Sequence, residues 1–157
     1  MVASFGAVLI VGAAAVAAAL ALRAGRRALA GGLVGEVAEI LDMIDSHDVE
    51  RALAGFGEGR SAAPMLPRLP SVVFKAGATF MPILGAHVAR LLAAFYASTE
   101  ALNEELTALP AASPRGREAE RALASARLRH TVELGEELLR ALRDIVSPRR
   151  RDLIVRA

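Results

Sequence analysis

Residues 2–22, VASFGAVLIVGAAAVAAALAL, run for 21 positions without a charged side chain, and no other stretch limits the architecture as strongly. As a helix rising ~1.5 Å per residue, such a run covers ~31 Å, the thickness of a bilayer's hydrocarbon core. It is expected to form one transmembrane helix. Nine of the 21 residues are Ala, so its drive to insert is weaker than that of a Leu-rich segment. Only the amino terminus supplies positive charge ahead of it, whereas Arg23, Arg26 and Arg27 follow directly, the reverse of the order in a cleaved signal peptide. By the positive-inside rule those arginines hold the C-terminal side in the cytoplasm and leave the N-terminus outside. Ala13, Ala17 and Ala21 recur every fourth residue, a spacing that permits close contact with a second membrane helix.

A chain of 157 residues has room for about one domain beyond such an anchor. Its apolar content comes from Ala, Leu and Val, while aromatics make up 4% and Trp is absent, a balance that favours helices over strands. The expected fold is all-α: one N-terminal transmembrane helix followed by a small antiparallel helical bundle with a long helical hairpin. With no Cys, the chain forms no disulfide, no thiolate metal site and no Cys nucleophile. Nineteen basic against 17 acidic residues leave a formal net charge of +2, which by itself implies no nucleic-acid partner.

Composition and period divide the chain into five segments. Residues 1–30 are the anchor and a basic juxtamembrane helix, which is expected to end where Gly31-Gly32 make helix costly. In residues 31–54, Leu33, Val37, Ile40 and Ile44 share one face at the 3.6-residue period, and a break near Ser46 is expected to cap a short second helix. Glu36, Glu39, Asp42, Asp45 and Asp48 recur every third residue. Each step of three turns back ~60°, so these carboxylates wind around the helix and read as a solvated surface. Residues 55–70, with three Gly and three Pro, read as a linker.

Residues 71–147 are the hairpin region, expected to pack with residues 33–54. Ser71 is placed to cap a short helix over Val72, Val73 and Phe74, and Pro82 to sit in the first turn of a long one. Along that helix Leu84, Val88, Leu91, Phe95, Leu102 and Leu106 keep the four-three rhythm of a packing seam, and Leu128, Val132, Leu139 and Leu142 answer it on a return helix from Arg115 to Val146. Tyr96, the sole Tyr, lies about 100° off the seam and is expected at the bundle's edge, its hydroxyl on a polar partner or water. Residues 148–157 are a basic tail, whose Arg149, Arg150 and Arg151 are expected to touch anionic lipid together with Arg23, Arg26 and Arg27.

Pro70-Ser71-Val72-Val73-Phe74, Leu84-Gly85 and Phe95-Tyr96, set after an apolar N-terminus and a Pro-rich linker, carry a resemblance. In these features the chain resembles a group of bacterial single-pass inner-membrane proteins with a cytoplasmic helical domain. That resemblance implies the architecture and the inner membrane as location, and no chemistry.

Catalytic motifs are missing where they are sought. Gly55 opens a glycine-rich stretch, but a phosphate loop needs Gly where Ala54 stands and Lys where Arg60 stands. His47, His87 and His130 lie on separate segments, and none has a Glu three residues before it as in di-iron bundles. His130 and Glu133 share a helix face, which reads as a surface pair. No catalytic, cofactor-binding or metal-ligating residue is assigned, and no enzyme activity or cofactor is expected. The expected function is that of a membrane-anchored, non-catalytic helical interaction or scaffold protein, or an accessory subunit of a membrane complex. Its expected partners are membrane lipid and another protein, or a second copy, met through helices. A membrane-tethered bundle that binds a lipid or small apolar ligand is the alternative.

Overall fold

The computed structural model describes the backbone of residues 3–56, 71–111 and 117–147, and the side chains of 17–56, 71–110 and 117–147. The expected all-α class is observed. Helix α1 covers Ala3–Ser46, α2 Val49–Gly55, α3 Val72–Gly77, α4 Ala86–Ala108 and α5 Arg117–Val146, with 3-10 turns at Ala78–Leu84 and Leu109–Ala111. Among the described residues no helix is long and apolar enough to cross a membrane. The spanning helix expected over residues 2–22 is therefore unsupported there, and most of that run lies outside the residues whose side chains are described.

Gly31 and Gly32 do not end a helix; α1 runs through them without a break. Each glycine costs about 1 kcal/mol relative to Ala, but Ala30, Leu33 and Val37 around them are fully buried, and that packing outweighs the local preference. Gly32 also admits α3, since a Cβ there would lie 3.1 Å from Val73 Cγ1. The boundary drawn between residues 30 and 31 thus falls inside one helix. The break near Ser46 is present, but Asp48 is the residue that turns the chain, at φ 47°. Ser46 Oγ meets the Met43 carbonyl instead of capping α2.

Helix α5 lies against both α1 and α4, while α3 lies along α1. The close approaches set the directions. Gly135 sits where an added Cβ would be 2.8 Å from Leu41 Cδ2 and 2.9 Å from Phe95 Cε2. Ser98 Oγ meets Thr131 Oγ1 at 2.8 Å, and Arg127 Nε meets Glu105 Oε1 at 3.3 Å. Rising residue numbers on α4 thus pair with falling ones on α5, so the two are an antiparallel hairpin. Leu41 meets α5 at Gly135, and the later Ala54 and Phe56 meet it at the earlier Arg121, so α1 and α2 run along α5 in the opposite sense to it, as α4 does. Thr131 donates to the Arg127 carbonyl at 2.9 Å, so Ser98 is the donor to Thr131 and neither buried hydroxyl is left unpaired.

Leu84 belongs to the 3-10 turn, with Pro82 inside that turn, and not to the long helix. The change of direction falls at Gly85, whose φ of 97° favours glycine, and α4 starts after it. Phe56 is buried and sits at the C-terminal cap of α2, so the linker expected from residue 55 begins beyond it. Arg121 holds this corner by donating to the carbonyls of Ala54 and Phe56, both at 3.3 Å, a use of arginine at a helix C-terminus. Residues 57–70, Arg115 and the tail 148–157, with Arg149, Arg150 and Arg151, lie outside the described residues.

Gly135 offers a direct check on the packing. Gly135→Ala gains about 1 kcal/mol of helix preference but overpacks a core of known penalty, about 1–3 kcal/mol. Leu41 is only partly buried and has room to yield, whereas the Phe95 ring is fully buried. The substitution is expected to lower stability by about 1 kcal/mol net, read as a shift of the urea midpoint at unchanged slope.

Candidate functional site

Glu36 is the one buried carboxylate among the described residues of the bundle core, at 5% exposure. It lies four residues before Ile40 and three after Leu33, both fully buried, so helical spacing carries it inward with them. Its oxygens accept from the backbone N–H of Val73 at 2.6 Å and of Phe74 at 3.2 Å, and from the hydroxyl of Tyr96. Val73 and Phe74 are the second and third residues of α3, whose N–H groups a capping side chain normally satisfies. Ser71 stands at the cap position and makes no such bond. Glu36, reached across 37 residues of sequence, caps α3 in its place.

The reading of all five acidic residues as solvated is therefore corrected for Glu36. Five carboxylates stepping around a helix cannot all avoid its buried stripe, and Glu36 is the one that falls on it. Glu39, Asp42, Asp45 and Asp48 are exposed.

Tyr96 is 5% exposed, stacked on Phe74 with centroids 4.0 Å apart and planes at 16°, and edge-on to Phe95 at 5.4 Å and 80°. Such pairs add about 0.5–1.5 kcal/mol beyond their area. Burial, and then the hydrogen bond and negative charge of Glu36, push its phenol well above the usual value of 10.0. The folded chain thus keeps a proton that the unfolded chain gives up near that value. The titration of Tyr96 leaves stability independent of pH below ~10 and lowers it above that by up to ~1.4 kcal/mol per pH unit. As Tyr96 is the single Tyr, absorbance near 295 nm reports it alone. No tyrosinate is expected near pH 10 until the chain unfolds, and a smooth titration there with helix content unchanged would disprove the burial.

A second feature lies at the other end of the bundle. Between α1, α2 and α5 runs an open groove of about 560 Å³, with Leu41, Ile44, Val49, Leu128 and Val132 below and Asp45, Asp48, Glu50, Glu133 and Glu136 around it. Asp48 pairs with Arg51 at 2.7 Å across the surface, a contact worth about 0–1 kcal/mol. The other four carboxylates make no ion pair among the described residues, and Arg129 is the one cation among the described residues that line the groove. An apolar floor under an acidic rim suits a segment that carries both apolar and basic side chains.

Charge is segregated along the bundle. From the level of Glu36 to the end where α1 emerges, residues 17–35, 71–91 and 140–147 hold Arg23, Arg26, Arg27, Lys75, Arg90, Arg140 and Arg143, all exposed, against Asp144 alone. Beyond the Leu41–Phe95–Gly135 layer, residues 42–56, 96–110 and 117–134 hold ten acidic and five basic residues. One end of the bundle is basic and the other acidic.

The residues of the expected seam fall as follows. Leu84, Val88, Phe95, Leu102, Leu106, Leu128, Leu139 and Leu142 are buried, while Leu91 and Val132 are partly so. Leu92 and Leu138, outside the expected set, are fully buried. Helix α4 faces α5 on one side and α3 with its turn on the other, which widens the buried arc beyond a two-helix seam. Arg23, Arg26 and Arg27 are brought together where α1 leaves the bundle, and Arg26 donates to the Leu84 carbonyl at 3.2 Å. The signal for Glu36 was its spacing from Leu33 and Ile40; no pattern in the sequence pointed to Val73 and Phe74 as its partners. No protein-family model, curated protein or solved structure matches the chain.

Proposed function

We propose that the chain is a membrane-anchored, non-catalytic interaction module that presents an acidic groove to a basic, amphipathic segment of another protein. The uncharged run of residues 2–22 is the anchor and, with Arg23, Arg26 and Arg27 after it, leaves the bundle on the cytoplasmic side of a bacterial inner membrane. The charge segregation carries this reading. Basic residues gather at the end where α1 emerges, the end an anionic leaflet would attract, and the acidic groove opens at the opposite end. Five carboxylates at the rim favour a basic segment over a purely apolar ligand.

The test places a photo-crosslinking residue at Glu133, on the groove rim, in the full chain in cells, with the same residue at exposed Leu123 as control. A single stoichiometric adduct at position 133, mapped to a basic segment and absent at 123, is expected. An adduct to lipid would favour the ligand-binding alternative, and equal labelling at both positions would remove the groove from the account.

A further inference from the structure

The 3-10 turn Ala78–Leu84 presents Phe80 at 60% exposure, the largest exposed apolar side chain among the described residues. Neighbouring Ala78, Thr79 and Pro82 are exposed too, while Met81 and Leu84 are buried and fasten the turn to the bundle. A bulky ring held outward by a fixed turn gains nothing from the fold itself. Its position suggests what it meets. Leu29 packs on Gly77 just before the turn, and Arg26 donates to the Leu84 carbonyl at its end, so the turn lies level with residues 26–29 of α1. Those residues are ~6–10 Å along the helix from Leu22, where the uncharged run stops. The polar layer of a bilayer extends ~5–7 Å beyond the hydrocarbon on each side.

We infer that Phe80 and its turn form a lipid-contacting surface, lying on the headgroup layer of an anionic leaflet beside the anchor. The inference rests on the anchor reading above and adds a second contact to it. Three observations converge on lipid as the occupant. On the anchor reading the turn stands ~6–10 Å from the end of the uncharged run, at the outer part of the headgroup layer. Arg23, Arg26, Arg27 and Lys75 are exposed on α1 and α3, two helices that contact the turn, with no exposed acidic residue on α1 before Glu39 or on α3 and the turn, which matches an anionic surface. Leu20 and Leu22, the exposed apolar residues that close the uncharged run, lie ~6–14 Å along α1 from residues 26–29. With the anchor, the turn gives the bundle two points of attachment and so a fixed tilt, which aims the acidic groove away from the lipid.

The chain has no Cys, so Phe80→Cys and Leu123→Cys each create a unique thiol at an exposed site that leaves the core intact. The full chain carrying an environment-sensitive fluorophore at either position is reconstituted into vesicles of phosphatidylethanolamine and phosphatidylglycerol containing a nitroxide at the lipid headgroup. Quenching at position 80 is expected to exceed that at 123 by about threefold or more, and to weaken when phosphatidylcholine replaces phosphatidylglycerol. Vesicle-bound chain with equal quenching at the two positions overturns the lipid contact and leaves the anchor standing. Quenching at 80 that ignores the lipid charge overturns the anionic surface. Chain that fails to float with the vesicles removes the anchor, and the inference with it. A label at 80 that is shielded only when a partner protein is added makes the turn a protein contact and likewise overturns it.

Discussion

Glu36→Ala is expected to lower the stability of the folded bundle by about 3 kcal/mol, because three donors lose their acceptor at once. The Val73 and Phe74 N–H groups and the Tyr96 hydroxyl are held by that single carboxylate, and Tyr96 is too buried to turn to water. Unfolding in urea measures the loss. Tyr96→Phe removes one donor and leaves the carboxylate with two, so it should cost only about 1 kcal/mol. Combined with Glu36→Ala, it should add less than its own cost, since the hydroxyl no longer has a partner to lose. Hydrogen exchange gives a second reading. The amides of Val73 and Phe74 should be protected in the native chain and exchange freely in Glu36→Ala, with α5 amides affected far less. An alanine variant as stable as the parent would mean that α3 is held by packing alone.

Phe95→Ala should cost about 4 kcal/mol, the range for emptying a fully buried aromatic site. Phe95 is 0% exposed, closes on Gly135 and meets Tyr96 edge-on, so one ring joins α4 to α5 and to the Glu36 network. Small bundles have only about 5–15 kcal/mol in total, so the variant should show a sharply lowered midpoint or a loss of cooperative unfolding. Leu123→Ala is the control. Leu123 is 52% exposed, and its truncation should change stability by no more than about 0.5 kcal/mol. Similar losses for the two would contradict the placement of the core.

The all-helical class was legible from the Ala- and Leu-rich composition and the 3.6-residue period, and the four-three rhythm from Leu84 to Leu106 marks a stretch that the structure buries in large part. Helix ends were harder to read. Gly31-Gly32 looked like a stop because propensity is local, whereas Ala30, Leu33 and Val37 are fully buried by helices far away in sequence. Ser71 looked like its helix's cap because caps are usually supplied from the adjacent residue; here a carboxylate 37 residues earlier does that work. Charge segregation was legible in principle, since residues 71–99 contain no acidic residue, but its meaning depends on the antiparallel return of α5. Without that return, Arg140 and Arg143 cannot be placed at the end of the bundle from which α1 emerges.

The same antiparallel return ties stability to function. Glu36 fixes α3, α3 leads into the turn that bears Phe80, and the opposite end of the bundle carries the groove. Loosening the clamp should therefore release the turn before it disturbs the groove.

Everything proposed about function depends on residues 2–22 holding the chain in a bilayer. Membranes from cells expressing the full chain, washed in alkaline carbonate and then floated through a density gradient, test this most directly. The chain is expected to stay with the lipid fraction through the wash, as an inserted helix does. Release of the chain into the carbonate supernatant, with a known spanning protein retained in the same sample, would contradict it.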